Sequence, residues 1–216
     1  MRPAIGTPVF RDADGRVIDY GDRWKGGSPP QDTYSVDTHP ERFAPLHTVA
    51  DALVAHLGDT YDVEVTEGDE AANDVIDPTG FDVTRAVRVA PNRPASAALT
   101  FAFTAYPGVV VHAGALHDFA YPVCGCDACD ETWQSQADAL ERCVFAVVGG
   151  HYRESVGLGP GAQVGHRLEF PDGSASGWGE ASGIPAARRR AARRALREVP
   201  EGWAAWPRRG RANGRA

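Results

Sequence analysis

Cys124-Gly125-Cys126-Asp127-Ala128-Cys129-Asp130-Glu131 places three thiols within six positions, and Cys143 follows fourteen residues after Cys129. Thiolates bind soft or borderline metal ions. A C-x-C-x-x-C run at a turn lets three sulfurs converge, because Gly125 relieves the backbone and the last Cys can sit on the first turn of a following helix. Asp127 is placed to cap that helix. The free N–H groups of the helix start would favour the thiolate forms of Cys126 and Cys129, while the carboxylates of Asp127, Asp130 and Glu131 oppose them. A structural zinc site takes four protein ligands. Cys143 stands about 21 Å from Cys129 along a helix, too far to be a local ligand. His117, seven residues before Cys124, is the first choice for the fourth position, ahead of His112 and His151; water or Asp130 there would leave the site open.

Several chemistries compete for these thiols. The leading reading is a metal, zinc by preference, held structurally by Cys124, Cys126, Cys129 and His117, in a protein with no identifiable catalytic activity. A second makes the chain a thiol-dependent enzyme or redox protein with Cys126 or Cys129 as nucleophile, although no histidine base can be identified in the sequence. A labile disulfide within the cluster, or small thiols that merely pack, are the bland alternatives.

The elements that must position the cluster follow from the rest of the chain. With 216 residues, 43% of them hydrophobic, a single compact domain is expected, and its core needs no disulfide. The longest apolar runs, Val109 to Val111 and Val144 to Val148, fall far short of the roughly 18 residues of a membrane span. Four clustered cysteines do not make the disulfide framework of a secreted scaffold, and Met1 to Gly6 lacks an apolar signal core, so a cytoplasmic location is expected. From Pro185 onward ten Arg face only Glu198 and Glu201, a net of +8, which leaves −15 on the first 184 residues. Such a basic end can fold back on its own acidic body. It could also serve as an interaction module for an acidic partner. Absent stacking or base-reading motifs and a repelling body argue against sequence-specific nucleic-acid binding, and neither partners nor oligomeric state can be read from the chain.

Pro8 to Tyr20 reads as a hairpin around Asp14-Gly15, and residues 21–37 as a long loop that Trp24 and Tyr34 pin to the body. Thr38 with Glu41 resembles a capping box ahead of a helix whose Phe43, Leu46, Ala50, Leu53 and Leu57 form one face, ended by Gly58. Strands are expected at Tyr61 to Val65 and Phe81 to Val89, separated by an acidic loop, then a hairpin from Leu99 to Ala113. A second amphipathic helix spans about Asp130 to Val148, and a hairpin turning at Pro171-Asp172-Gly173 precedes an Ala/Arg helix from Pro185 to Val199. Trp203 and Trp206 should dock on the body, with Arg193, Arg194 and Arg197 facing acidic residues. The pattern is α+β: antiparallel hairpins packed against two or three helices, one domain over residues 1–206, and a basic disordered tail over 207–216.

The segment from Leu99 to Gly150, with Tyr106-Pro107-Gly108, the Cys124 to Glu131 motif and the helix ending at Gly149-Gly150, resembles an uncharacterised bacterial protein family of unknown function. The Phe43 to Leu57 helix and Trp206-Pro207 are similar too, so the likeness covers most of the chain after the N-terminal loop. It implies that the cysteine cluster is a family feature. It carries over no activity and no catalytic residue.

Overall fold

Leu99, Phe101 and Phe103 alternate with smaller residues, and in the computed structural model, which describes residues 2–77, 79–159 and 161–210, they form the middle of a sheet. Five antiparallel strands run in the order β1 (Val63–Glu67), β2 (Val83–Pro91), β3 (Leu99–Thr104), β4 (Val109–Ala113) and β5 (His117–Tyr121). The register sets Phe101 opposite Val111 and Val87, and Phe103 opposite Val109, so these side chains share one face. Two helices, α1 (Pro45–Thr60) and α3 (Trp133–Val148), cover that face with Leu46, Leu53, Leu57, Leu140 and Val144. On the other face Ala102 and Val110 pack on Val75, from the segment after the short α2 (Asp69–Ala72). Both faces of β3 and β4 are therefore covered, and every residue of the two strands is buried.

A second antiparallel sheet, β6 (Tyr152–Val156), β7 (Gln163–Phe170) and β8 (Gly173–Glu180), follows α3. The two-residue connection at Pro171-Asp172 is the turn expected from the sequence. Helix α4 (Ala186–Arg197) lays Ala192 on a small cluster with Leu116, Val164, Ala181 and Ile184. The chain is a single α+β domain. Among the described residues no helix is long and apolar enough to cross a membrane.

Several local expectations are corrected. The N-terminal hairpin reduces to one bridge between Arg11 and Val17, with a turn closed by Gly15 N–H on Asp12 O. Thr38 caps no helix, because its side chain is taken by Asp127; Pro40–Phe43 forms a 3-10 turn instead, and α1 starts at Pro45 and runs past Gly58 to Thr60. Strands β5 and β6 were not foreseen, and the acidic loop contains α2.

At the C-terminal end Trp203 and Trp206 are buried, and Trp206 Nε1 donates to Ala97 O at 2.8 Å. Three arginines of α4 find backbone carbonyls, and Arg193, expected to face an acidic residue, is one of them: Arg188 reaches Asp74 O, Arg189 Ala181 O and Arg193 Gly157 O. The tail expected to be disordered from Pro207 is bonded to the end of α1 as far as Arg209, through Asp62 N–H on Pro207 O at 2.9 Å and Arg209 N–H on Thr60 O at 3.0 Å. Residues 211–216 of that expectation lie outside the described residues.

Candidate metal centre

Strand β5 ends at Tyr121, the Tyr121–Pro122 peptide is cis, and the chain then turns at Gly125, whose φ of 84° suits glycine. Cys126, with extended backbone, precedes a 3-10 turn at Asp127–Cys129, after which Asp130 adopts the left-handed conformation at φ 53°. The turn folds the sulfurs together. Cys126 Sγ lies 3.2 Å from Cys124 Sγ and 3.5 Å from Cys129 Sγ, and all three sulfurs are within 4.8 Å of one another. A disulfide needs about 2.05 Å, and all the cysteines are free. Around a tetrahedral zinc with Zn–S near 2.3 Å, sulfurs stand about 3.8 Å apart. Cys126 is buried, whereas Cys124 and Cys129 are exposed, so one side of the trio faces solvent.

The long loop at 21–37 and the start of the following segment form a collar around this turn. Asp127 is its centre: its N–H donates to Val36 O at 2.7 Å, and its carboxylate accepts from the Thr38 hydroxyl and backbone N–H. Arg23 Nη1 lies 3.4 Å and Arg42 Nη1 3.8 Å from the same carboxylate. The Arg42 guanidinium also donates to Gly125 O at 2.6 Å, Glu131 O at 3.3 Å and His39 O at 3.0 Å. Trp24 Nε1 reaches Ala128 O, Arg23 N–H reaches Asp130 Oδ2, and Gly125 N–H reaches Glu131 Oε2. Trp24 thus pins the loop as expected. Tyr34 does not, being half exposed.

Electrostatics separates the thiols. Burial alone would push Cys126 up, but contact with Cys124 and the backbone N–H groups of Cys129 and Ser35 bring it below its ordinary value. Contact with Cys124 and Cys126, together with burial, pushes Cys129 up to about 12. Burial opposes ionisation of Asp127, yet Thr38 and Arg23 hold its carboxyl below the usual range. The expected source of thiolate stabilisation is corrected here. Helix α3 starts only at Trp133, capped by Thr132 and Ser135, so the cysteines are not on its first turn and Asp127 is not its cap. Two local N–H groups replace the helix dipole.

His117 is not brought to the thiols. It opens β5, opposite Ala113, while the cysteines follow that strand's other end. Its Nδ1 pairs with Glu154 Oε1 at 2.8 Å and its ring packs edge-on against His166, so the expected fourth ligand is corrected. His112 is held by Asp118 at 2.6 Å. Asp130 Oδ2 accepts from Arg23 N–H, while its Oδ1 is buried without a hydrogen-bond partner among the described residues. Cys143 is buried in the core, where burial pushes its thiol up to about 12. The collar residues Arg23, Ser35, Thr38 and Arg42 were missed by sequence reasoning. The only available signal was the mixture of Trp, Arg and Asp in an otherwise loop-like stretch.

Gly125 is a sensitive point of the frame. A Cβ there would collide with the Tyr106 hydroxyl, and its φ is positive. Gly125→Ala is expected to cost about 1–2 kcal/mol from backbone conformation alone, read as a lowered urea midpoint with an unchanged slope.

The family model described as "Family of unknown function (DUF6226)" matches residues 6–210 of the chain. No curated protein and no solved structure matches it.

Proposed function

For a chain that belongs to the DUF6226 family of unknown function, we propose a metal-thiolate protein in which Cys124, Cys126 and Cys129 hold one ion, zinc by preference. The observation that carries this reading is the convergence of the three sulfurs within 4.8 Å on a turn clamped by a buried charge cluster. Thiolate ligands suit zinc's borderline softness, and N–H groups aimed at Cys126 Sγ lower the cost of holding negative sulfur. The fourth position opens on the solvent side between Cys124 and Cys129 and is filled by water or by a donor from outside the chain. The ion ties the end of β5 to the start of α3, a structural role, and thiolates without disulfides suit the cytoplasm.

Cobalt(II) titration tests the donor set. The protein is expected to saturate at about one equivalent with sulfur-to-metal charge-transfer absorption, and Cys126→Ser to lose that absorption. A titration without any charge-transfer band would exclude the three-thiolate site.

Thiol redox chemistry is a second reading, favoured by the 3.2 Å contact between Cys124 and Cys126 Sγ. There the two sulfurs would join and pass two electrons and two protons to an external disulfide, which is reduced to two thiols. Exposure to oxidised glutathione would then yield an intramolecular bond reversible by a dithiol. Unchanged free-thiol content would remove this reading.

A further inference from the structure

Strand β8 is the outer strand of the second sheet, and among the described residues no strand pairs with its other edge. Ala181 N–H donates to Ala162 O at 2.9 Å, which sets the phase of the ladder between β7 and β8. Ala175, Gly177 and Gly179 therefore exchange bonds with β7, whereas Ser174, Ser176, Trp178 and Glu180 turn their N–H and C=O groups outward. No backbone bond among the described residues reaches those outward groups. Proteins guard such an edge with charge, proline, a bulge or a covering element. The other edges of this fold are guarded. Strand β1 bears Glu64 and Glu67, and β5 lies against the second sheet, where His166 meets the rings of His117 and Phe119. Strand β6 is flanked by α4 and by the C-terminal segment, whose Trp203 N–H donates to Tyr152 O at 3.0 Å. Strand β8 has none of these devices: it contains no Lys, Arg or Pro, its register with β7 is unbroken, and its one charge, Glu180, stands at its end. All its residues are exposed except half-buried Gly177, and Trp178 is 77% exposed.

We propose that β8 pairs antiparallel with β8 of a second copy of this chain, with Gly177 on the two-fold axis, so that the two small sheets become one. In that register Ser174 faces Glu180 of the other copy and Ser176 faces Trp178, and the outward groups form about eight hydrogen bonds. The pattern of side chains is self-complementary. A small residue stands opposite each large one, and no like charges oppose each other. Gly177 meets its own copy in the pair type whose Cα atoms come closest, and it has no side chain to obstruct the approach. The two Trp178 side chains, on the same face, become diagonal neighbours across the axis, within reach of one another, which removes from water the large apolar group that β8 exposes. This interface goes beyond the metal reading and does not depend on it, since β8 carries no cysteine.

The test combines sedimentation equilibrium with amide hydrogen exchange followed by NMR, on the full chain labelled with 15N, from about 5 to about 500 µM. A phosphine reductant keeps the exposed thiols from linking two chains. A monomer–dimer equilibrium is expected over this range, and the Ser174, Ser176 and Trp178 amides are expected to gain protection as the dimer forms. The Ala175, Gly177 and Gly179 amides, already bonded to β7, stay protected throughout. Trp178→Glu sets two carboxylates beside each other across the axis and is expected to raise the dimer Kd at least about tenfold. Ser176→Pro, which removes only an outward N–H, is expected to do the same while leaving the urea midpoint of the monomer unchanged. A wild type that stays monomeric at the highest concentration would overturn the proposal and leave the edge to a different chain. So would a dimer whose formation leaves the Ser174, Ser176 and Trp178 amides unchanged, or an unaltered Kd in Trp178→Glu.

Discussion

Asp127→Ala lowers the unfolding free energy by about 3–5 kcal/mol, because it leaves a buried guanidinium without its counter-charge. Arg42 and Asp127 are each only 2% exposed, and the same carboxylate also engages Arg23 and Thr38. The loss is local in origin and broad in effect: three segments, the 21–37 loop, the turn before α1 and the cysteine turn, meet at this one side chain. Urea denaturation followed by tryptophan fluorescence measures it. Asp127→Asn keeps the shape and one acceptor, so its loss is smaller. A change under about 0.5 kcal/mol in Asp127→Ala, the range of ordinary surface substitutions, would mean that the cluster does not clamp the turn.

Glu154→Ala is expected to cost a similar roughly 3–5 kcal/mol, for the opposite reason: it strips four donors of one acceptor. The Glu154 side chain is fully buried, accepting from Ala115 N–H at 3.0 Å, Leu116 N–H at 2.9 Å, His117 Nδ1 at 2.8 Å and Trp203 Nε1 at 2.8 Å. These bonds join the turn between β4 and β5 to β6 and to the C-terminal segment. Glu154→Gln retains acceptor capacity on one oxygen but turns an amide N–H toward the donors, so it is expected to fall between alanine and the wild type. Hydrogen exchange offers an independent readout, with the Ala115 and Leu116 amides losing protection before the core of β3.

These two residues also show why parts of the fold were legible and others were not. Alternation of Leu99, Phe101 and Phe103 announces a strand, and Trp133, Ala137, Leu140 and Val144 announce a helix, because in both cases buried positions are apolar. Strands β5 and β6 carry His117 and Glu154 at buried positions, where a polar pair satisfies itself across 37 residues and erases the apolar period. The start of α1 misled for a related reason. Thr38 has the chemistry of a cap, but a carboxylate 89 residues away holds its hydroxyl. The cysteine trio was readable from spacing alone, since a short turn suffices to bring its sulfurs together. Its collar was not, because Arg23, Ser35 and Arg42 reach it only through the tertiary fold.

Elemental analysis of the full chain, purified without added metal or chelator, tests the three-thiolate site most directly. The account predicts about one equivalent of a thiophilic ion, zinc foremost, that Cys126→Ser loses. Less than about a tenth of an equivalent of zinc, iron and copper together in the wild type would contradict it.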